Sequence, residues 1–125
     1  MPHHTENSLK VHLPATKVWE VLADYARIEK FASTIISSPI VGQTQSGLGA
    51  QRRCTFNNDT SLVETIVEYK EGQGYKMEIS EHTLPLKNMF AEMSVKAIDA
   101  NSSEISMSAD FVVKWVHWVG SWVNS

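Results

Sequence analysis

From Thr83 to Ala97 the sequence reads T-L-P-L-K-N-M-F-A-E-M-S-V-K-A, a Pro-containing loop that turns into a strand with two distinct faces. Met89, Ala91, Met93 and Val95 fall on one side, and Glu92, Ser94 and Lys96 on the other. Only an extended backbone sorts neighbours this way, because successive strand side chains point to opposite faces while a helix repeats every ~3.6 residues. Phe90 is the exception on the polar face. Ahead of the strand, Leu84, Pro85 and Leu86 place apolar side chains on a loop, where they need something to cover. This stretch predicts a half-buried antiparallel sheet with an apolar cavity below the loop.

The rest of the chain fits around that strand. Ser8 to Leu13 alternates as a first strand and Pro14 ends it. Ala15, Val18, Trp19 and Leu22 recur at helical spacing, which predicts a short amphipathic helix from Thr16 to Ala23. Asp24 is placed to cap a second helix, Tyr25 to Phe31. Strands then follow at even spacing: Ile35 to Val41, Ala50 to Phe56, Leu62 to Tyr69, Tyr75 to Ser80, and the Thr83 to Ala97 stretch. After an Asp99 to Ser103 turn, a last strand carries Ile105, Met107, Ala109 and Phe111 on one face. The count is seven strands and two short helices in one domain, residues 1–125.

Composition narrows the function. With 42% hydrophobic and 20% charged residues the chain is ordinary for a globular domain. A net charge of -3 without a Lys/Arg cluster gives no field for nucleic acid. The single cysteine, Cys54, excludes an intramolecular disulfide and fits a cytoplasmic location, as does an N-terminus without a signal peptide's basic start and apolar run. No stretch approaches the ~20 apolar residues of a transmembrane helix. No metal or cofactor is expected, since no His, Cys and carboxylate set has ligand spacing and no P-loop or dinucleotide fingerprint occurs.

Phe111 to Val123, F-V-V-K-W-V-H-W-V-G-S-W-V, carries Trp115, Trp118 and Trp122 on one helical stripe and Val112, Val116, Val119 and Val123 on another. A helix apolar on most sides must be covered on most sides. Three arrangements do this: a final helix packed on the sheet, a homodimer through the tryptophans and neighbouring valines, or a membrane-surface anchor.

Four segments resemble the START-like SRPBCC superfamily: L-P-A-T-K-V-W-E-V-L-A-D-Y from Leu13, G-L-G-A-Q-R-R from Gly47, L-V-E-T-I-V-E from Leu62, and L-P-L-K-N from Leu84. The likeness is to polyketide cyclase/dehydrase-like proteins and, more distantly, to plant abscisic-acid receptors and the birch pollen allergen family. It runs from about residue 8 to 115. It implies an α+β helix-grip fold: a curved seven-stranded antiparallel sheet, two short helices after strand 1, and a C-terminal helix gripping an apolar pocket. Here that helix would be shortened, because the chain ends at Ser125, and the pocket would be open or completed by a second subunit. The residue after L-K-N, often tyrosine in the relatives, is Met89.

In that topology the ligand-facing positions are Arg52, Cys54 and Phe56, with Leu62, Glu64 and Ile66 on the next strand. Tyr75, Met77, Ile79, Met89, Ala91, Met93, Met107, Ala109 and Phe111 continue the lining, Trp115 adds to it, and Leu84 and Leu86 form a lip. The surface is Met-rich and adaptable, suited to a small hydrophobic molecule. Arg52 and Glu64 stand out because a charge aimed into an apolar interior is costly unless paired or used. As diagonal neighbours on adjacent strands they are within reach of each other. They anchor a ligand's polar end, form a structural ion pair, or, in a cyclase/dehydratase-like enzyme, supply Glu64 as general base. His82 is expected to be a solvated loop histidine, His3 and His4 a flexible terminus, and Cys54 a small buried hydrophobe. The reading favoured is hydrophobic-ligand binding between sheet and tail. The alternatives are the enzyme and a self-association module.

Overall fold

The computed structural model describes residues 2–30 and 33–113. In chain order these hold β1 (Pro2–Val11), α1 (Ala15–Ala23), a 3₁₀ turn (Tyr25–Lys30), β2 (Ile35–Ser37), β3 (Ile40–Val41), β4 (Gln51–Phe56), β5 (Ser61–Lys70), β6 (Gly74–Ser80), β7 (Leu86–Asp99) and β8 (Ser102–Val113). The strands make one antiparallel sheet in the order β1-β8-β7-β6-β5-β4-β2, with the two-residue β3 also paired to β4. The path of seven strands is the expected curved sheet, with β3 an eighth strand beside it and the first strand crossing to lie at the edge next to the last. Among the described residues no helix is long and apolar enough to cross a membrane.

The first strand begins at Pro2, not Ser8, and pairs with β8 in unbroken register from Pro2↔Val112 to Val11↔Ser103. His3 and His4 therefore belong to the sheet. An edge strand exposed on both faces carries no alternation to read, and Pro is tolerated there because an edge residue can do without its N–H. Ile35 to Val41 is two strands, split where Pro39 cannot donate to a ladder. Its carbonyl accepts the Arg53 amide instead, at 3.0 Å. The second helix is a 3₁₀ turn, and Asp24 pairs through its carboxylate with the Arg27 side chain at 3.4 Å. β8 runs through Val113, so Phe111 lies on the last strand as expected, while Val112 and Val113 are strand where a helical stripe was expected. The remainder of the Trp-rich tail lies outside the described residues.

The organising stretch holds with one adjustment. β7 bulges between Lys87 and Phe90, where Asn88 takes a φ of 49°. Asn tolerates this left-handed conformation better than most residues, and the extra residue re-aims the strand. Beyond the bulge the alternation is regular, with Met93 and Val95 buried and Glu92, Ser94 and Lys96 exposed. Phe90 is covered on the outer face by the Lys76 ammonium, 4.9 Å above its ring.

α1 buries Val18, Trp19 and Leu22 against the inner face, where they join Ile66, Tyr75, Met77, Met93 and Val95 in the main core. Each such side chain contributes about 1.5–3 kcal/mol when fully removed from water. Polar tips fix the angle of the helix. The Trp19 indole donates to Glu71 Oε1 at 3.0 Å and the Tyr69 hydroxyl to Glu71 Oε2 at 2.7 Å. The Tyr75 hydroxyl donates to the Leu22 carbonyl at 3.0 Å, a last-turn acceptor with no partner inside the helix.

Gly74 opens β6 where the chain passes closest to β7. A Cβ there would overlap the Met93 carbonyl oxygen and sit 2.9 Å from Ser94 Cα, both backbone atoms. Gly74→Ala is expected to destabilise the domain by about 1–3 kcal/mol through this overlap. Denaturant unfolding checks it: an unchanged or raised midpoint would contradict the close approach.

Candidate functional site

The registers bring the expected residues onto one face of the sheet. Met77 lies beside Ile66 on β5 and Ala91 on β7, and the row continues through Ala109 on β8 to Thr5 on β1. A parallel row runs Tyr75, Met93, Met107 and Asn7. At the other end Arg52 faces Glu64 and Cys54 faces Leu62.

This face has two unlike halves. Arg52, Cys54, Ile66, Tyr75, Met77, Ile79 and Met93 are buried. The last five form a packed core with α1 and Tyr25 of the 3₁₀ turn, apart from Cys54 and Arg52 beside it. Phe56, Leu62, Glu64, Leu86, Met89, Ala91, Ala109 and Phe111 are half-buried. Met107 is 54% exposed, Leu9 beside Ile105 is 63% exposed, and Leu84 before β7 is 45% exposed. Trp115 lies outside the described residues.

At the boundary between these halves sits the Arg52–Glu64 pair. The two are direct cross-strand partners, not the diagonal neighbours expected. Arg52 Nε donates to Glu64 Oε1 at 2.7 Å, one guanidinium nitrogen donates to the Tyr25 carbonyl at 3.1 Å, and the other meets Met77 Sδ at 3.6 Å. The guanidinium also lies 4.0 Å over the Tyr25 ring, whose hydroxyl donates to the Glu64 backbone carbonyl at 3.0 Å. Burial is the largest influence and opposes the Arg52 charge, but the Glu64 carboxylate, joined by Tyr25, Tyr75 and Cys54, raises the pKa on balance. Sequence reasoning found the pair but missed Tyr25, which supplies carbonyl, ring and hydroxyl to it. The only signal was an aromatic residue on the buried side of the second helical segment.

Cys54 is buried, and its thiol lies 3.2 Å from Glu64 Oε1, to which it donates. Burial, and then the negative charge of Glu64, push its pKa up to about 12. Oε1 thus accepts from both Arg52 and Cys54, while Glu64 Oε2 has no hydrogen-bond partner among the described residues. His82 differs from the solvated loop residue expected, since its Nδ1 is buried without a partner among the described residues.

A separate depression of about 230 Å³ lies at the β5–β6 turn. It shares Tyr75 and Met93 with the expected lining but not Arg52 or Glu64, and its walls include Glu68, Lys76 and Glu92. Those three are register neighbours, and Lys76 Nζ already meets Glu68 at 3.6 Å. Lys76 is thus already engaged, and the lining singles out no ligand.

A thiol whose pKa is pushed up to about 12 stays protonated at pH 8, and the thiolate is the nucleophile. Cys54 in the native protein is therefore expected to resist alkylation at pH 8 and to react fully once denaturant is added. Rapid stoichiometric labelling of the folded protein, followed by mass spectrometry, would contradict the buried, Glu64-facing thiol.

Comparison with known proteins follows the same lines. No curated protein matches the sequence. A protein of Nitrosospira multiformis superposes with a TM-score of 0.77 at 17% identity, over 98% of this chain and 89% of that one. Norcoclaurine synthase from Thalictrum flavum, in complex with dopamine and hydroxybenzaldehyde, gives 0.74 at 18% identity over 91% and 71%. The protein Ara h 8.0201 gives 0.73 at 23% identity over 91% and 80%. At such identities the likeness is one of fold, the helix-grip arrangement. The sequence itself matches a family over residues 2–125, and on that match the chain belongs to the polyketide cyclase / dehydrase and lipid transport family.

Proposed function

We propose that the domain binds a small hydrophobic molecule against the inner face of its curved sheet. The observation that carries this reading is the division of that face. α1 seals Tyr75, Met93 and Val95 on β6 and β7, while on the rest of β7 and β8 the side chains of Met89, Ala91, Ala109 and Phe111 are only partly covered and Met107 is 54% exposed. An incompletely covered apolar face inside a curved sheet is a binding surface by default. Membership of a family described by lipid transport and by polyketide chemistry supports an apolar ligand. A fold neighbour in complex with dopamine and hydroxybenzaldehyde supports one of small size. Met89, Ala91, Met107, Ala109 and Phe111 bury the apolar part, with Leu84 and Leu86 at the mouth. Glu64 meets the polar end at the boundary with the core.

Native mass spectrometry of the purified protein, set against the same sample under denaturing conditions, tests this. The expected result is a small organic adduct, retained natively and lost on denaturation. Met107→Asp introduces a charge at an exposed position, so it should change stability by no more than about 0.5 kcal/mol while abolishing the adduct. A bare protein that also takes up no added C10 amphiphile would overturn the reading.

A further inference from the structure

We infer that the polar end of the ligand is a hydrogen-bond donor, a hydroxyl, phenol or amine, and that carboxylates and phosphates are selected against. This rests on the binding reading above and specifies its ligand. The evidence is an asymmetry within the ion pair. Arg52, the one cation of the inner face described above, is 2% exposed. Each of its three nitrogens already has a partner, in Glu64, the Tyr25 carbonyl and Met77, and its plane rests on the Tyr25 ring. An incoming anion could reach it only by dismantling that packing.

Glu64 is arranged the other way. Its side chain is 14% exposed, Oε1 is held by Arg52 and Cys54, and Oε2 has no partner among the described residues. What the pair presents to a ligand is therefore an acceptor oxygen on a fixed carboxylate. A donor head group completes its hydrogen bonding, whereas a second carboxylate would face like charge with the neutralising guanidinium turned away. Burying an acceptor that a ligand leaves unpaired is the usual source of strong discrimination in such sites.

The test is isothermal titration calorimetry with 1-decanol, decylamine and decanoate at pH 7.5, three probes with one alkyl chain and different heads. The alcohol and the amine are each expected to bind at least tenfold more tightly than decanoate. In Glu64→Gln, whose amide both donates and accepts, the ratio should fall below threefold. Equal affinities for all three would overturn the donor rule while leaving the apolar site standing, and tighter binding of decanoate would do the same. No binding of any probe would overturn the site and the rule together. Should Glu64→Gln fail to fold, the ranking measured on the natural sequence decides alone.

Discussion

A guanidinium sealed inside a small domain is the constraint around which the other contacts are arranged. Removing Arg52 and Glu64 from water carries a desolvation cost of several kcal/mol per ion, offset only when geometry is good and the remaining polar atoms are satisfied. Here the 2.7 Å contact between direct cross-strand partners supplies the first condition. The Tyr25 carbonyl, the Tyr25 ring and Met77 supply the second. The pair thereby ties three parts of the chain together: β4, β5 and the 3₁₀ turn that follows α1. It also fixes which carboxylate oxygen is used internally and which is left over.

α1 itself is held by different chemistry. Trp19 packs against Tyr69 and Tyr75, with ring centroids 5.6 and 6.2 Å away, and Tyr25 meets Tyr75 edge-on at 5.6 Å. These aromatics fill the space between helix and sheet while their polar tips reach Glu71, the Leu22 carbonyl and the Glu64 carbonyl. Buried Tyr and Trp need such partners, and here the partners lie on separate elements, so satisfying them also positions the helix. The helix consequently covers Tyr75, Met93 and Val95 and leaves Met89, Ala91, Met107, Ala109 and Phe111 only partly covered or exposed.

Much of the fold was legible because a half-buried strand must alternate. Met93, Val95, Met77, Ile79 and Ile66 declare their face by alternation alone. Where alternation fails, the sequence was silent or misleading. Pro2 to Asn7 lie on a strand exposed on both sides, so no period marks them. Pro39 interrupts a run that reads as continuous, and Asn88 adds a residue that composition does not reveal. The site was legible in part: Arg52 and Glu64 are conspicuous as charges among apolar neighbours. Their direct pairing, the enclosure of Arg52 by Tyr25 and the consequent freedom of Glu64 Oε2 depend on register and on a contact 27 residues apart in sequence. Nothing local encodes either.

The most direct test of the ion pair's central place is a double-mutant cycle on Arg52 and Glu64, read by equilibrium denaturation. Arg52→Met alone leaves an uncompensated carboxylate and should cost about 3–5 kcal/mol, whereas Arg52→Met with Glu64→Leu should recover most of that loss, since an apolar replacement of a buried pair is often neutral. Additive losses, or a single substitution costing under about 1 kcal/mol, the value of an exposed surface pair, would contradict a buried, mutually dependent pair.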